Sequence, residues 1–235
     1  MKEEASMNFL SIKNVKKVFN EGTETESWAL KGVDLEIHKE EFVVISGPSG
    51  SGKSTLLNIV GGLDTPSEGS VALEGTPITA MAESELALFR REHVGFVFQA
   101  YNLIPVLTVR ENIAYIMRLM GRSQKACDAR VLEVAKALDI DAYLDKLPDH
   151  LSGGQQQRVA VARAVASKPK LILADEPTAN LDTKNGEKLM ELMRRLNEEE
   201  KVTIIFSSHD PVVIDRARRS IVLRDGEVVE DRVRP

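Results

Sequence analysis

Short apolar segments recur along the chain, and they follow two patterns. Some alternate strictly between apolar and polar residues, which is typical of a strand with one buried face, and others are wholly apolar, which is typical of a strand buried on both faces. The first pattern is clear at 28–37 and the second at 171–175. Together these segments predict strands over 9–19, 28–37, 41–46, 70–73, 94–98, 171–175 and 202–207. A hairpin is predicted over 221–229, with Asp225-Gly226 at its turn.

Segments with apolar residues three and four positions apart, the spacing of one helix face, lie between these strands. They predict helices over 54–60, 83–91, 108–120, 126–138, 155–167 and 186–199, and residues 74–77 predict a turn. Strands that alternate with helices predict an α/β fold with a parallel core. The helix-rich block from about 103 to 166 interrupts this alternation, so we expect a helical insert or subdomain there.

The composition narrows the class of protein. The chain has 235 residues, of which 43% are hydrophobic and 29% charged, and its net charge is −5. These values fit one globular domain and exclude a disordered chain. The mildly acidic balance argues against a free-standing nucleic-acid-binding protein. The single cysteine, Cys127, cannot form an internal disulfide and favours a reducing compartment. No apolar run approaches the roughly 20 residues that span a bilayer.

The segment Gly47-Pro-Ser-Gly-Ser-Gly-Lys-Ser54 matches the Walker A pattern of a phosphate-binding P-loop. A predicted strand enters it and a predicted helix leaves it, which is the required context. The glycines let backbone N–H groups turn inward, Lys53 supplies a point charge, and the Ser54 hydroxyl suits Mg²⁺. The residues that we expect to contact nucleotide here are Gly47, Pro48, Ser49, Gly50, Ser51, Gly52, Lys53, Ser54 and Thr55.

Two carboxylates, Asp175 and Glu176, follow the apolar strand 171–175. A solvated Asp-Glu pair at a strand end is common by itself. In a chain that also holds a P-loop, the pair resembles a Walker B element, with Asp175 holding magnesium, through water, and Glu176 polarising the attacking water.

Ser152-Gly-Gly-Gln155 precedes the predicted helix over 155–167 and could form a second anion cradle at a helix start. One phosphate chain rarely needs two cradles from the same chain, so this one would serve a nucleotide held mainly by another copy. An ordinary N-cap with a glycine turn is the alternative that these residues alone leave open.

A family resemblance favours the first interpretation. Leu151-Ser-Gly-Gly-Gln155 is the signature of the ABC-type ATPases, and the chain resembles that family along nearly its whole length. Gln99 matches the family's Q-loop, Asn180-Leu-Asp182 its D-loop and His209 its switch histidine. Phe19 falls where the family places an aromatic residue that stacks on adenine.

For Phe19 a place in the hydrophobic core is the alternative. Trp28 is a second aromatic residue nearby that could stack on adenine, but we expect it to pack against the protein.

The resemblance implies a P-loop NTPase fold of the α/β class. It has a RecA-like core, an N-terminal antiparallel β subdomain and a helical subdomain over about 103–166. All of these belong to one ATP-binding domain over 7–235, which follows a short polar tail at 1–6.

The resemblance also implies an activity, hydrolysis of ATP with Mg²⁺. Ser54, Gln99 and Asp175 would hold the metal, and Lys53, Glu176 and His209 would act in catalysis. The family works as head-to-tail pairs, in which a second copy completes each site. Ser152 and Gly154 would complete the partner's site, and Gly153, Gln155 and Asp182 are further residues that we expect to contact nucleotide.

The segments 85–92 and 96–112 resemble the lipoprotein-release and macrolide-export branch of the family (LolD and MacB type), of which FtsE is a near relative. This branch implies a separate permease of the MacB, LolC, LolE or FtsX kind, and a peripheral position on the cytoplasmic side of the inner membrane. Two alternatives are a force-transmitting ATPase of a cell-division complex that moves no solute, and a soluble ABC ATPase without a transport role. Leu103, Ile104 and Val106 would suit a groove for a short helix of the permease, or would pack in the helical block.

Overall fold

The computed structural model describes residues 8–210, 213–214 and 217–234. Its strands form two sheets. A four-stranded antiparallel sheet, in the order β2-β1-β4-β5, contains β1 (Leu10–Phe19), β2 (Ser27–Ile37), β4 (Glu68–Leu73) and β5 (Thr76–Pro77). A six-stranded sheet, in the order β10-β9-β3-β8-β7-β6, contains β3 (Phe42–Ser46), β6 (Val94–Val97), β7 (Leu171–Asp175), β8 (Thr203–Ser208), β9 (Arg219–Arg224) and β10 (Glu227–Val233).

All neighbours in the larger sheet pair in parallel except β9 and β10, which form the antiparallel hairpin predicted from the sequence. The α-helices are α1 (Lys53–Val60), α2 (Glu83–His93), α3 (Val109–Leu119), α4 (Gln124–Ala137), α5 (Gly153–Ala166) and α6 (Thr183–Glu200). Short 3-10 helices cover Ile78–Ala80, Asp141–Tyr143 and Pro148–His150. Within the described ranges, no helix has both the length and the apolar character needed to cross a membrane.

The central strands of the larger sheet, β3, β7 and β8, carry apolar residues in continuous runs and are buried on both faces, whereas the edge strand β10 is mostly exposed. Val44 of β3 packs into a core shared with α3, α4, α5 and α6, whereas Val43 and Ile45 pack into a core shared with α1 and the antiparallel sheet. Burying each such side chain contributes about 1.5–3 kcal/mol, so the two cores fix the position of β3 between them.

The carboxyl ends of the parallel strands meet at one edge of this sheet. Ser46 of β3 pairs with Ser208 of β8, and Asp175 of β7 pairs with Ser207 of β8. The loops that follow β3, β7 and β8 therefore leave the sheet side by side, at the edge where open α/β sheets bind ligands.

Several element boundaries differ from the prediction for local reasons. Helix α6 begins at Thr183 rather than at 186, since the Asp182 side chain caps it, and α5 begins at Gly153 because Ser152 caps it. The predicted turn at 74–77 includes the short strand β5, which pairs back on β4.

Candidate nucleotide site

The loop between β3 and α1 has a backbone that only glycine adopts easily. Gly47, Gly50 and Gly52 have φ values of 146°, 78° and 102°. A Cβ atom on Gly47 would lie 2.0 Å from the Leu223 carbonyl oxygen, and one on Gly52 would lie 2.5 Å from the Ala29 carbonyl oxygen. The glycines therefore serve close packing against β9 and β2 as well as the loop's left-handed conformation.

Lys53, the first residue of α1, is only 5% exposed. Its ammonium donates hydrogen bonds to the carbonyl oxygens of Gly47 and Pro48, each at 2.9 Å, and lies 3.9 Å from Glu176 Oε1. The charge is thus held inside the loop by neutral acceptors and one carboxylate at the edge of ion-pair distance. An anion placed in the loop would meet this charge directly.

The interior of the loop also holds a polar atom that needs a partner. Ser51 is 2% exposed, and its hydroxyl has no hydrogen-bond partner among the described residues. A buried hydroxyl without a partner is costly, so this one fits a loop that binds a polar ligand. Thr55 lies one turn into α1 and is partly buried, whereas Pro48, Ser49 and Gly50 are exposed at the mouth of the loop.

Ser54 and Asp175 form the predicted metal-binding pair. The Ser54 hydroxyl donates to Asp175 Oδ1 at 3.0 Å, and the Ser207 hydroxyl donates to the same oxygen at 2.7 Å. Hydroxyl and carboxylate oxygens are the ligands that Mg²⁺ prefers, so the donor chemistry fits this ion.

Glu176 has a strained backbone that aims its side chain at the loop. Its φ is 44°, and its N–H donates to Ser207 Oγ at 2.9 Å. Its Oε1 lies 3.2 Å from His209 Nδ1 and 3.9 Å from Lys53 Nζ. The structure thus brings together the three residues predicted to be catalytic. It adds Ser207, whose hydroxyl donates to the Asp175 carboxylate and accepts from the Glu176 backbone N–H. The motifs do not predict this role, although the serines before His209 are visible in the sequence.

Gln99 and the D-loop lie beside this cluster. Gln99 follows β6, whose Val97 pairs with Ala174 of β7, and the Asn180 side chain donates to the Gln99 carbonyl oxygen at 2.9 Å. The Gln99 side chain is exposed, and within the described ranges it has no hydrogen bond to Ser54 or Asp175.

Asp182 is held at the start of α6. It accepts hydrogen bonds from Asn185 N at 3.0 Å and Asn185 Nδ2 at 2.6 Å. The bond from the Asn185 backbone and then the bond from its side chain lower the pKa of the Asp182 carboxyl. Asp182 therefore has a structural role in this chain besides the predicted contact with a nucleotide.

The signature segment forms the N-terminal cap of α5. Ser152 Oγ accepts from Gln155 N at 3.4 Å, while Gln155 Oε1 accepts from Ser152 N at 2.9 Å. A Cβ on Gly153 would lie 2.8 Å from the Tyr101 hydroxyl oxygen, whereas one on Gly154 would meet nothing closer than 3.8 Å. Among the residues described, no hydrogen bond or ion pair joins 152–155 to the P-loop. The chain thus presents two separate cradles.

Phe19 and Trp28 both lie near the P-loop end of the antiparallel sheet, and each is 42% exposed. Trp28 is therefore less packed than predicted, and burial does not separate it from Phe19. Phe19 has the Lys17 ammonium 5.1 Å from its ring centroid, and that ammonium also pairs with Asp64 at 2.7 Å. The contact orders the Phe19 ring at the surface, so Phe19 does not belong to the core.

The apolar residues after the Q-loop divide between the two predicted environments. Leu103 packs against the helical core, Val106 is 80% exposed, and Ile104 lines a cleft.

Comparison with known proteins identifies the class that this fold and site define. A family model described as "ABC transporter" matches residues 30–179, and the chain belongs to this family. It is an ABC-type ATPase cassette, and the predicted P-loop NTPase fold is confirmed. A second model, described as "AAA domain, putative AbiEii toxin, Type IV TA system", matches only 147–215 and leaves out the P-loop.

The chain is similar to transporter ATP-binding proteins from several organisms. It is 46% identical over 223 residues to the uncharacterized ABC transporter ATP-binding protein MJ0796 of Methanocaldococcus jannaschii, which covers 93% of this chain and 94% of that protein. It is 43% identical to the bacitracin export ATP-binding protein BceA of Halalkalibacterium halodurans, over 94% and 87% of the two chains. It is 44% identical to the macrolide export ATP-binding/permease protein MacB of Neisseria gonorrhoeae, over 96% of this chain but 35% of MacB.

The chain is also similar in fold to solved structures of one of these relatives, MJ0796. A dimeric structure of MJ0796, described as a bacterial ABC transporter cassette, matches with a TM-score of 0.88 at 45% identity and covers 95% of this chain and 98% of that chain. A second dimeric structure of MJ0796, in a post-hydrolysis state bound to ADP and Pi, matches equally well.

Proposed function

We propose that this chain is the ATP-hydrolysing subunit of a membrane complex. Two copies dimerise head-to-tail on ATP and drive export or lipoprotein release through a separate transmembrane permease. The observation that carries the proposal is the separation of the two cradles, because the P-loop and the signature do not meet within one chain. MJ0796 is dimeric in two solved structures, one of them bound to ADP and Pi, and this supports a nucleotide-bound dimer here.

Each proposed ATP site is built from residues of both copies. The P-loop of one copy holds the phosphates of ATP with Lys53 and the backbone N–H groups around it, while Ser152 and Gly154 of the partner copy close the site from the other side. Phe19 supplies the surface for adenine. Closure excludes bulk water from the phosphates and leaves the attacking water in place, so it strengthens each charged contact inside the site.

Mg²⁺ fits the oxygen pair of Ser54 and Asp175, and Gln99 is the third proposed ligand. When bound, the ion supplies positive charge that offsets the charge of the transferred phosphate. Ser207 holds the Asp175 carboxylate in the orientation that the pair requires, since its hydroxyl bonds the same oxygen as Ser54.

Glu176 and His209 act on the attacking water. The Glu176 carboxylate accepts a proton from that water, and His209, which lies 3.2 Å from Glu176 Oε1, orients the carboxylate and contacts the terminal phosphate. Lys53 stabilises the charge on the phosphates. The backbone bond from Glu176 to Ser207 fixes the distance of the carboxylate from the loop.

Complementation between two inactive variants tests the head-to-tail arrangement. Lys53→Ala disables the P-loop, and Gly154→Asp adds a negative charge to the signature at a position with room for a side chain. Each variant alone should lose ATPase activity. A mixture forms dimers in which one site has an intact P-loop and an intact signature, so it should recover up to about a quarter of the parent rate by statistical pairing.

A mixture that stays inactive, although both variants fold and co-purification of differently tagged copies shows mixed dimers, would contradict the shared site. The membrane part of the proposal has its own test, which is whether a transmembrane permease co-purifies with this chain in detergent. A cassette that never binds the permease, but hydrolyses ATP as a dimer, would favour the soluble alternative. The proposed position of the chain is peripheral, on the cytoplasmic face of the inner membrane.

A further inference from the structure

Two helices begin at two of the motifs, the signature and the D-loop, and end at the opposite edge of the larger sheet. Helix α5 begins after Ser152 of the signature, and α6 begins after Asp182 of the D-loop. Their C-terminal ends lead into β7 and β8, and those strands pair where they start, Leu171 with Thr203. The two helices therefore connect the proposed dimer surface to one place at the far edge of the sheet.

The guanidinium of Arg130, on α4, joins these C-terminal ends. Arg130 is only 7% exposed. Its Nε donates to the Ala166 carbonyl oxygen at 3.4 Å and its Nη2 donates to the Val165 carbonyl oxygen at 3.3 Å, and these are the last two residues of α5. Its Nη1 donates to Glu200, the last residue of α6, at 2.8 Å and to Glu133 at 2.9 Å. One side chain thus bonds the ends of both helices.

A cation suits this place for two reasons. The last carbonyl groups of a helix have no partner within it and carry the negative end of its dipole, and Arg130 supplies donors to two of them. The same guanidinium pairs with Glu200, whose side chain is 24% exposed against 61% for Glu133, so the bond to Glu200 is the better shielded from water. Loss of Arg130 would leave both helix ends without these donors.

At their N-terminal ends the two helices are near each other without such a link. A Cβ on Gly154 would lie 3.8 Å from Leu181 Cδ2 and 3.8 Å from Asn185 Cγ, which is ordinary van der Waals contact. In the described part of the chain, no hydrogen bond or ion pair joins 153–155 to 180–185. Helix α5 has 14 residues. It is therefore about 21 Å long, so a tilt of about 5° at its C-terminal end moves the signature by about 2 Å.

We infer that Arg130 is a positioning residue for the ATP-driven dimer: it holds the C-terminal ends of α5 and α6 together and so sets the position of the signature relative to the D-loop. The inference rests on the proposed function, because the signature serves a nucleotide only when a second copy pairs with it. None of the bonds of Arg130 involves the P-loop. Loss of Arg130 should therefore weaken closure of the dimer without weakening the first contact of ATP with the P-loop.

The test compares ATP-driven dimerisation with ATP binding in the full chain that carries Glu176→Gln, so that ATP persists. Arg130→Met should weaken dimerisation about tenfold in sedimentation with ATP and Mg²⁺, while isothermal titration under conditions that keep the chain monomeric should show an ATP affinity within about twofold of the parent's. Arg110→Met is one control, since Arg110 pairs with Asp145 inside the helical block. Val131→Ala is the other, because Val131 is fully buried beside Arg130, so its cavity lowers stability and leaves the bonds of Arg130 in place. Both controls should dimerise like the parent.

Glu200→Gln keeps the inference testable if Arg130→Met does not fold, and it should weaken dimerisation about threefold. The double variant should be no weaker than Arg130→Met alone, because both changes remove the same pair. Dimerisation like the parent's in the Glu200→Gln variant and in any Arg130→Met protein that folds overturns the inference, and so does a loss in Val131→Ala as large as that in Arg130→Met. A parent chain that never dimerises on ATP overturns the proposed function as well, so the two can fail separately.

Discussion

Two glycine-rich turns in this molecule precede helices, and they differ in what they leave open to a ligand. The P-loop enters α1 at Gly52, which is left-handed and gives the helix no side-chain cap. The signature enters α5 at Ser152, which is extended and caps the helix together with Gln155. Both turns present a helix N-terminus, so the helix dipole does not distinguish them.

The difference lies in charge and in backbone shape. The P-loop encloses the buried ammonium of Lys53 and an unsatisfied hydroxyl of Ser51, so it can hold an anion alone. The signature has no lysine, and its capping box satisfies part of its own backbone. A helix start is therefore a full anion site only with a fixed cation and inward-facing donors, and the signature is half of a site.

The largest expected effect is on the rate of ATP hydrolysis, and it tests the role of Glu176 beside the P-loop. Glu176→Gln should lower the ATP hydrolysis rate by roughly 10²–10⁴-fold, because it removes the general base but keeps the shape of the side chain. ATP should still bind, and the dimer should persist, which light scattering with ATP and Mg²⁺ would show. Hydrolysis at the parent rate would refute the role of Glu176.

Loss of the Lys53 ammonium should weaken the binding of ATP, the step that precedes hydrolysis. Lys53→Ala removes a charged donor to the phosphates worth about 1.5–3 kcal/mol, so ATP affinity should fall roughly 10–100-fold. Isothermal titration with ATP measures the change. Lys170→Ala is the control, because Lys170 pairs with Glu74 rather than with any residue of the loop. Unchanged affinity in Lys53→Ala would invalidate the P-loop assignment.

The sequence predicts the first cradle more completely than the second. The P-loop is contiguous, and its strand, glycines and helix follow from local pattern, so residues 42–60 form the predicted elements. Ser207 escapes prediction because it reaches Asp175 only through the pairing of β7 with β8, 32 residues apart in the chain. Pairing between distant strands depends on the whole sheet and leaves no local signal.

The surroundings of the signature escape prediction for the same reason. The motif reveals Ser152 and the glycines, but the contact of Gly153 with Tyr101 and the bonds of Arg163 to the Q-loop arise from tertiary packing. For Trp28 the prediction was wrong in the opposite sense: its place at the start of a strand predicted packing, but the side chain is 42% exposed. Periodicity shows which face of a strand is apolar, but it does not show where the sheet ends.

Substitutions at the two neighbouring glycines of the signature, Gly153 and Gly154, test whether the signature forms half of a nucleotide site. Gly154→Ala should leave thermal stability at or above that of the parent, because its Cβ has room and alanine favours a helix. It should weaken ATP-driven dimerisation roughly tenfold, about 1.4 kcal/mol, since the methyl group occupies the space facing the partner's phosphates. Sedimentation with ATP measures this.

Gly153→Ala is the matched variant. Its Cβ would crowd the Tyr101 hydroxyl within the same chain, so melting temperature as well as dimerisation should change. If Gly154→Ala dimerised like the parent, the signature would not face a partner's nucleotide.

The smallest expected effect concerns Asp182 of the D-loop, whose neighbour Leu181 lies near Gly154 of the signature. Because the folded pKa of Asp182 is lowered by its bonds to Asn185, the charged form stabilises the fold above the usual pKa of 3.8, and this contribution is lost as the pH falls through the folded value. Asp182→Asn keeps an N-cap but removes the charge, so its urea midpoint should lie below that of the parent at pH 7 and converge with it once the pH has fallen below the folded pKa of Asp182. Asp149→Asn, at an exposed position on a 3-10 helix, is the control. A gap between parent and Asp182→Asn that stayed constant with pH would mean that Asp182 acts through shape rather than charge.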